Sequence, residues 1–130
     1  MPSLKTILIS TFTGIFICIA WWFFIDGVIT EPDSFPWVHI VPIFGIMVSM
    51  FAINMVSPNR IEQASGPTRL WLFFWFTNAI TCVGISIWIT TVEYPPNHNW
   101  PGVTIILHTM FMFFAGILFF IGRFSQESEF

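Results

Sequence analysis

The stretch Trp100–Arg123, WPGVTIILHTMFMFFAGILFFIGR, decides the fold class of this chain. Its residues 102–121 are almost all apolar, and about 20 such residues in a row are what an α-helix needs to cross a bilayer. Pro101 marks the start of this run, because proline is favoured at the first position of a helix, and Arg123 follows its end. The stretch therefore predicts a transmembrane helix.

Three further segments meet the same criterion, namely residues 6–25, 37–56 and 70–92. The first is too long for the apolar core of a signal peptide, so it is predicted to be a retained helix. Proline-containing segments follow all three and predict short connections between antiparallel neighbours. The predicted fold is an all-α integral membrane protein, a single domain of residues 1–130 in which four transmembrane helices form two antiparallel hairpins.

The composition agrees with a membrane location. Of the 130 residues, 55% are hydrophobic and only 8% are charged, whereas soluble domains carry about 25% charged residues. So few charges cannot cover a surface that faces water, and the exterior is therefore expected to face lipid. Only four residues are basic, which argues against nucleic acid as a partner.

The four basic residues also indicate an orientation. They are Lys5, Arg60, Arg69 and Arg123, and all of them lie on one side of a four-span arrangement. The connections on the opposite side contain no lysine or arginine. Because cytoplasmic segments carry the excess of basic residues, both termini and the central loop are predicted to be cytoplasmic.

Small and polar residues recur along the predicted spans at helical spacing. The third span carries one such face and the first span another: Asn78, Cys82, Ser86 and Thr90, and Ser10, Gly14 and Cys18. Gly116 is the corresponding small residue on the bulky fourth span, and Asn54 is expected to hydrogen-bond a neighbouring helix. Such faces let helices approach closely, so they are predicted to be packing surfaces. A pathway lined for an ion or a polar solute is the alternative.

Asp26 closes the first span in the motif WWFFIDG, and Gly27 after it is expected to mark the end of the helix. Asp26 lies roughly 31 Å along a helix from Lys5, at the outer boundary of the hydrocarbon core. There it is predicted to tie the two hairpins together. The candidate donors to its carboxylate are the loop after Gly27, Trp88, Thr90 and Thr91. Trp21 and Trp22 lie a turn deeper on adjacent faces, so that one can meet lipid while the other packs inward.

His108 is the one ionisable residue at mid-depth in the predicted spans. It is expected to be a hydrogen-bonded structural residue, and a proton relay with Asp26 is the alternative. Three histidines and four carboxylates fall towards one membrane edge, but their spacing matches no zinc-ligand pattern, and no metal site is predicted. These residues are His39, His98, His108, Asp26, Glu31, Asp33 and Glu93.

Motifs of catalysis are missing from the sequence. It contains no G-x-S-x-G, no glycine-rich phosphate loop and no serine or cysteine next to a plausible base. The protein is therefore predicted not to be an enzyme and to bind no cofactor.

Four segments together resemble the transmembrane protein 50 family, whose small four-span endomembrane proteins include a fungal vacuolar-protein-sorting subunit. They are WWFFIDG, FAINMVSPNRI, TRLWLFFWF and the stretch quoted first, in the same order and at matching spans. The matching positions are Trp21, Trp22, Asp26, Asn54, Ser57, Trp71, Pro101, Gly102, Gly116, Gly122 and Arg123. The central loop is shorter than the family pattern. The resemblance implies a non-enzymatic four-span protein without established catalytic residues.

The resemblance also implies partners, since fungal relatives act with a second small tetraspanning protein in transport from endosomes to the vacuole. We therefore expect a small membrane subunit or scaffold of the endosome, Golgi or endoplasmic reticulum that works in endosomal or secretory trafficking. It would associate through its helices with other integral membrane proteins, such as a tetraspanning protein or a large lipid-transfer protein, and with membrane lipids. Two alternatives stay open: an accessory subunit of a lipid-transfer assembly at a membrane contact, and an oligomeric channel or transporter lined by His108 and Asp26.

Overall fold

The computed structural model of the chain describes residues 4–31, 36–56 and 66–128. Within these ranges the chain forms four α-helices and one short 3-10 helix, and no strand. The α-helices are α1 (Leu4–Thr30), α2 (Trp37–Asn54), α3 (Gly66–Glu93) and α4 (Trp100–Ser128), and the 3-10 helix Pro96–His98 connects the last two. The all-helical fold class is confirmed.

The length of the helices fits a bilayer. Among the described residues three helices are long and apolar enough to cross a membrane, Leu4–Thr30, Gly66–Glu93 and Trp100–Arg123, and Val38–Asn54 is a shorter apolar helix. α2 ends two residues before the predicted end of its span. Met55 caps it with its backbone N–H directed at the carbonyl of Ala52, and the following sequence Ser57-Pro58 disfavours further helix.

α4 is the central helix of the bundle. α1, α2 and α3 each pack against it, and α2 also packs against α3. Within the described residues, α1 and α2 share no extensive interface, so the predicted first hairpin is not a packed pair. α1 instead runs antiparallel to α4, with Gly27 beside Thr104 at one end and Ile9 beside Gly122 at the other.

Gly27 does not end α1 as expected, because the helix continues through it to Thr30. A methyl group at Gly27 would lie only 2.5 Å from Thr104 Oγ1. Because Gly27 has no side chain, α1 can approach α4 closely at this point. This contact packs the last turn of α1 against α4, and the turn stays helical.

The core lies where the four helices meet, and Ala20 of α1 is fully buried in it. Ile46, Met50 and Ile53 of α2 pack with Ala79 and Cys82 of α3 in one buried cluster, which α4 completes. Large apolar side chains cover the outside instead of charges; Trp22, for example, is 73% exposed. An exterior of this kind is suited to lipid rather than water.

Candidate functional site

Asp26 is held at the end of α1 by a residue that the sequence did not indicate. The indole N–H of Trp100, the first residue of α4, donates to Asp26 Oδ2 at 3.0 Å. Two of the expected donors, Thr90 and Thr91, are wrong, because their hydroxyls donate to carbonyls of their own helix, those of Ser86 and Trp88. Because α1 packs on α4, the carboxylate ties these two helices together.

Further polar contacts lie at the same end of the bundle. His39 Nδ1 and the Tyr94 hydroxyl are hydrogen-bonded at 2.9 Å, joining the start of α2 to the end of α3. His98 Nδ1 lies 3.9 Å from Glu31 Oε1. Burial raises the pKa of the Tyr94 phenol, and the negative charges of Glu31 and Glu93 raise it further.

These contacts do not assemble a metal site. No three His, Cys, Asp or Glu side chains come within range of a common ion in the part of the chain that the structure describes. Asp33, one of the carboxylates considered from the sequence, lies outside the described residues.

His108 is fully buried in α4 and surrounded by aromatic rings. The Trp21 ring meets it edge-on with centroids 4.9 Å apart, and the Phe24 ring lies at 5.9 Å. Neither ring nitrogen has a hydrogen-bond partner among the described residues, so the expected hydrogen bond is not found there. Trp21 thus faces inward, whereas Trp22 points to the outside.

The small and polar face of α3 is turned into the bundle. Asn78 donates to the hydroxyl of Ser49 and lies 3.5 Å from the carbonyl of Gly45 in α2. Cys82 occupies the space that a side chain at Gly45 would fill. Ser86 is buried and bonds the carbonyl of Cys82 in its own helix. Polar groups of this face therefore pair within the protein, as helices in lipid require.

The C-terminal end of α2 is capped by residues of the other helices. Trp71 Nε1 donates to the carbonyl of Ala52 at 2.9 Å, and Arg123 donates to the carbonyl of Asn54. The side chain of Asn54 donates to the carbonyl of Gly116 in α4 at 3.4 Å. The last carbonyls of a helix have few donors in their own helix. The carbonyl of Asn54 gains Arg123 as a donor, and that of Ala52 gains Trp71 in addition to the Met55 N–H.

The sequence did not predict that Trp71 and Arg123 cap α2. Both residues were noted there as positions that match the family, and Arg123 also as one of the basic residues that indicate the orientation. A basic residue near the end of a span is a known donor to the last carbonyls of a helix, and this was the available signal. Which helix it caps depends on the packing of α4 beside α2, and the sequence does not reveal that packing.

The small face of α1 is turned outward. Ser10, Gly14 and Cys18 are all exposed, and no described atom lies within 4 Å of the position of a side chain at Gly14. We refer to these three residues as the outer α1 face. No described helix packs on this face, because the buried side of α1, which includes Ala20 and Gly27, is the one that contacts α4. The predicted packing role of the face stays a prediction.

Long apolar helices, an apolar exterior and internally paired polar groups define a multi-pass helical membrane protein. Residues 3–129 match the family described as "Uncharacterised protein family (UPF0220)", and the chain belongs to that family. It is 26% identical over 151 aligned positions to the "Transmembrane protein 50 homolog" of Dictyostelium discoideum, with 97% of each chain covered. The predicted family resemblance is thereby confirmed. No solved structure matches the chain.

Proposed function

We propose that this protein is a non-enzymatic membrane subunit that joins other integral membrane proteins through helix–helix contact. The outer α1 face carries the proposal. Elsewhere in the chain, glycines such as Gly45 and Gly116 mark points where a second helix approaches closely, and Cys82 and Met50 occupy the space beside them. Gly14 offers the same kind of close approach, and no helix of the described chain uses it.

A partner helix is the occupant that suits this face. In lipid, helices associate through close packing and hydrogen bonds rather than through the hydrophobic effect, so a shallow face of small residues is the usual contact surface. The hydroxyl of Ser10 adds a donor and an acceptor next to it. The partner is therefore expected to be another membrane-spanning protein, and a second small tetraspanning protein fits the family resemblance.

The orientation and compartment belong to the same proposal. Lys5, Arg69 and Arg123 lie towards one end of the bundle, since the start of α1 and the end of α4 meet there beside the end of α2. The excess of basic residues at this end supports cytoplasmic termini. Endosomal or secretory trafficking is supported by the resemblance to the transmembrane protein 50 family, and a lipid-transfer assembly is one form that the larger complex can take.

A channel is not the function that the contacts favour. A polar route would need Asp26 and His108 along one path. Asp26 is exposed at the end of α1 and bonded to Trp100, whereas His108 is enclosed by Trp21 and Phe24.

Two glycine substitutions provide the test. Gly14→Leu fills the outer α1 face, and Gly84→Leu is its matched control, because Gly84 is also exposed and also has no described atom within 4 Å of a side chain placed there. Tagged protein is purified gently from its native membrane, and the co-purifying membrane proteins are quantified by mass spectrometry. A partner helix on α1 predicts about tenfold less of a specific partner with Gly14→Leu, corresponding to ~1.4 kcal/mol, and unchanged recovery with Gly84→Leu.

Recovery of the wild-type chain alone would contradict the proposal. Equal losses in both variants would also contradict it. They would show that any bulky residue on an exposed helix face weakens binding, whether or not it fills the outer α1 face.

A further inference from the structure

A cleft lies between α1 and α2, which flank α4 without an extensive interface between them. Its volume is about 210 Å³. Thr13 and Ile17 form the α1 wall, Met50 forms the α2 wall, and Met112 and Ala115 form the floor on α4. The walls are almost entirely apolar. None of the three residues of the outer α1 face lines this cleft, although Ser10 lines a smaller recess next to it.

The cleft is elongated and runs parallel to α4. Along α4 it runs from Met112 to Phe119, a distance of about 10 Å at 1.5 Å per residue. Asn54 lines it near the end of α2, and Arg123 follows Phe119 by one turn of α4. The apolar part therefore lies at the depth of acyl chains, and its end points towards the headgroup layer of one leaflet.

A cation and an unpaired acceptor stand at that end. Arg123 donates to the carbonyl of Asn54 and lies over the Phe119 ring, with its guanidinium carbon 5.9 Å from the ring centroid. A guanidinium has five N–H donors in a planar fork that matches a phosphate group. A second recess, of about 30 Å³, adjoins Phe119 and is lined by Arg123 and Ser10 among others. Asn54 Oδ1 is buried and has no donor among the described residues.

We propose that the cleft binds an anionic phospholipid of the surrounding leaflet, with one acyl chain against Ile17 and Met112 and the phosphate on Arg123. A volume of about 210 Å³ is too small to hold a transmembrane helix, because a helix with its side chains is about 10–12 Å across. An acyl chain is narrow and flexible, and the positive charge of Arg123 complements the phosphate of an anionic lipid.

The test uses the full chain in nanodiscs of phosphatidylcholine that contain phosphatidylserine with a photoreactive group on one acyl chain. After illumination, the labelled residues are mapped by mass spectrometry. The proposal predicts labelling concentrated on Ile17, Met50 and Met112. It also predicts that phosphatidylcholine with the same photoreactive chain labels these residues several-fold less, since an anionic headgroup gains about 1 kcal/mol per nearby basic residue.

Two pairs of variants separate the acyl chain from the headgroup. Ile17→Trp fills the cleft and is expected to abolish labelling of Met112, whereas Ile15→Trp, at a residue of α1 that is 45% exposed, leaves it unchanged. Arg123→Gln keeps a donor for the carbonyl of Asn54 and is expected to lower labelling by phosphatidylserine about fivefold. Arg69→Gln, at the start of α3, is its control, and Arg123→Lys should restore most of the preference for the anionic lipid.

Four results would overturn the inference. The first is labelling spread evenly over all lipid-facing residues. The second is labelling of Met112 that does not change with Ile17→Trp while circular dichroism shows an intact helical fold. The third is displacement of the lipid by inorganic phosphate alone, which would indicate a simple anion site. Protection of the cleft by a co-purifying protein would show that a partner, rather than a lipid, occupies it.

Discussion

Replacing His108 with phenylalanine is expected to stabilise the bundle, although it removes a polar residue from the centre of a helix. His108 is fully buried, and neither of its ring nitrogens has a hydrogen-bond partner among the described residues. A buried polar group left without a partner costs about 1–3 kcal/mol. Phenylalanine has no such group, and its ring can keep the edge-on contacts with Trp21 and Phe24.

The expected gain is modest because the larger ring meets a packed site. Extra volume in a well-packed core costs typically about 1 kcal/mol or more. The net expectation for His108→Phe is therefore an increase of about 1 kcal/mol in the free energy of unfolding. His39→Phe is the matched control, since the same change there removes the 2.9 Å hydrogen bond to Tyr94. It should lower the free energy of unfolding by about 1 kcal/mol.

The assay is equilibrium unfolding in mixed detergent micelles, followed by circular dichroism for the wild type and both variants. Opposite signs for the two variants are the expected result. A loss of 1 kcal/mol or more with His108→Phe (about the size of one hydrogen bond) would refute the reasoning. It would mean that the His108 ring is paired, through a bound water, a ligand or a residue outside the described part of the chain.

Three further predictions concern the two ends of the bundle. Asp26→Asn keeps an acceptor for Trp100 and should be mild, whereas Asp26→Leu should cost about 1 kcal/mol of stability and reduce accumulation in cells; equal, negligible effects would argue against the contact. Trp71→Phe removes the donor to Ala52 and should raise amide hydrogen exchange at the end of α2 about fivefold, with no change in α1. Tyr94, the one tyrosine of the chain, should lose its proton only above its ordinary pKa of about 10, as its near-ultraviolet absorbance will show. Because the folded state raises this pKa, the associated stability is present below pH 10 and is lost as the pH rises through the folded value; titration at or below 10 would contradict it.

The positions of the helices were predictable, whereas the pairing of α1 was not. Apolar runs of about 20 residues locate membrane helices well, because lipid tolerates little else. Short connections suggested that α1 pairs with α2. The pairing of α1 with α4 depends instead on close approach at Gly27 and Gly122. The presence of a glycine in the sequence does not reveal which helix packs against it. Trp100 was missed as the donor to Asp26 for the same reason.

The small-residue faces show the same limit. Asn78 and Cys82 on α3 have the four-residue spacing that Gly14 and Cys18 have on α1. The first pair faces α2, whereas the second faces outward. Periodicity shows which residues share one side of a helix, but the direction of that side depends on the packing of the whole bundle.

The short length of α2 has a consequence for the bilayer around it. Its 18 residues span about 27 Å, whereas the 27 to 29 residues of the other three helices reach about 40 Å or more. A bilayer with a thin hydrocarbon core accommodates α2 without distortion, while the long helices tilt or extend into the headgroups. A thicker bilayer must thin beside α2, at a fraction of a kcal/mol for each ångström of mismatch. The length of α2 alone therefore matches a thinner hydrocarbon core, whereas the three longer helices fit such a core only by tilting.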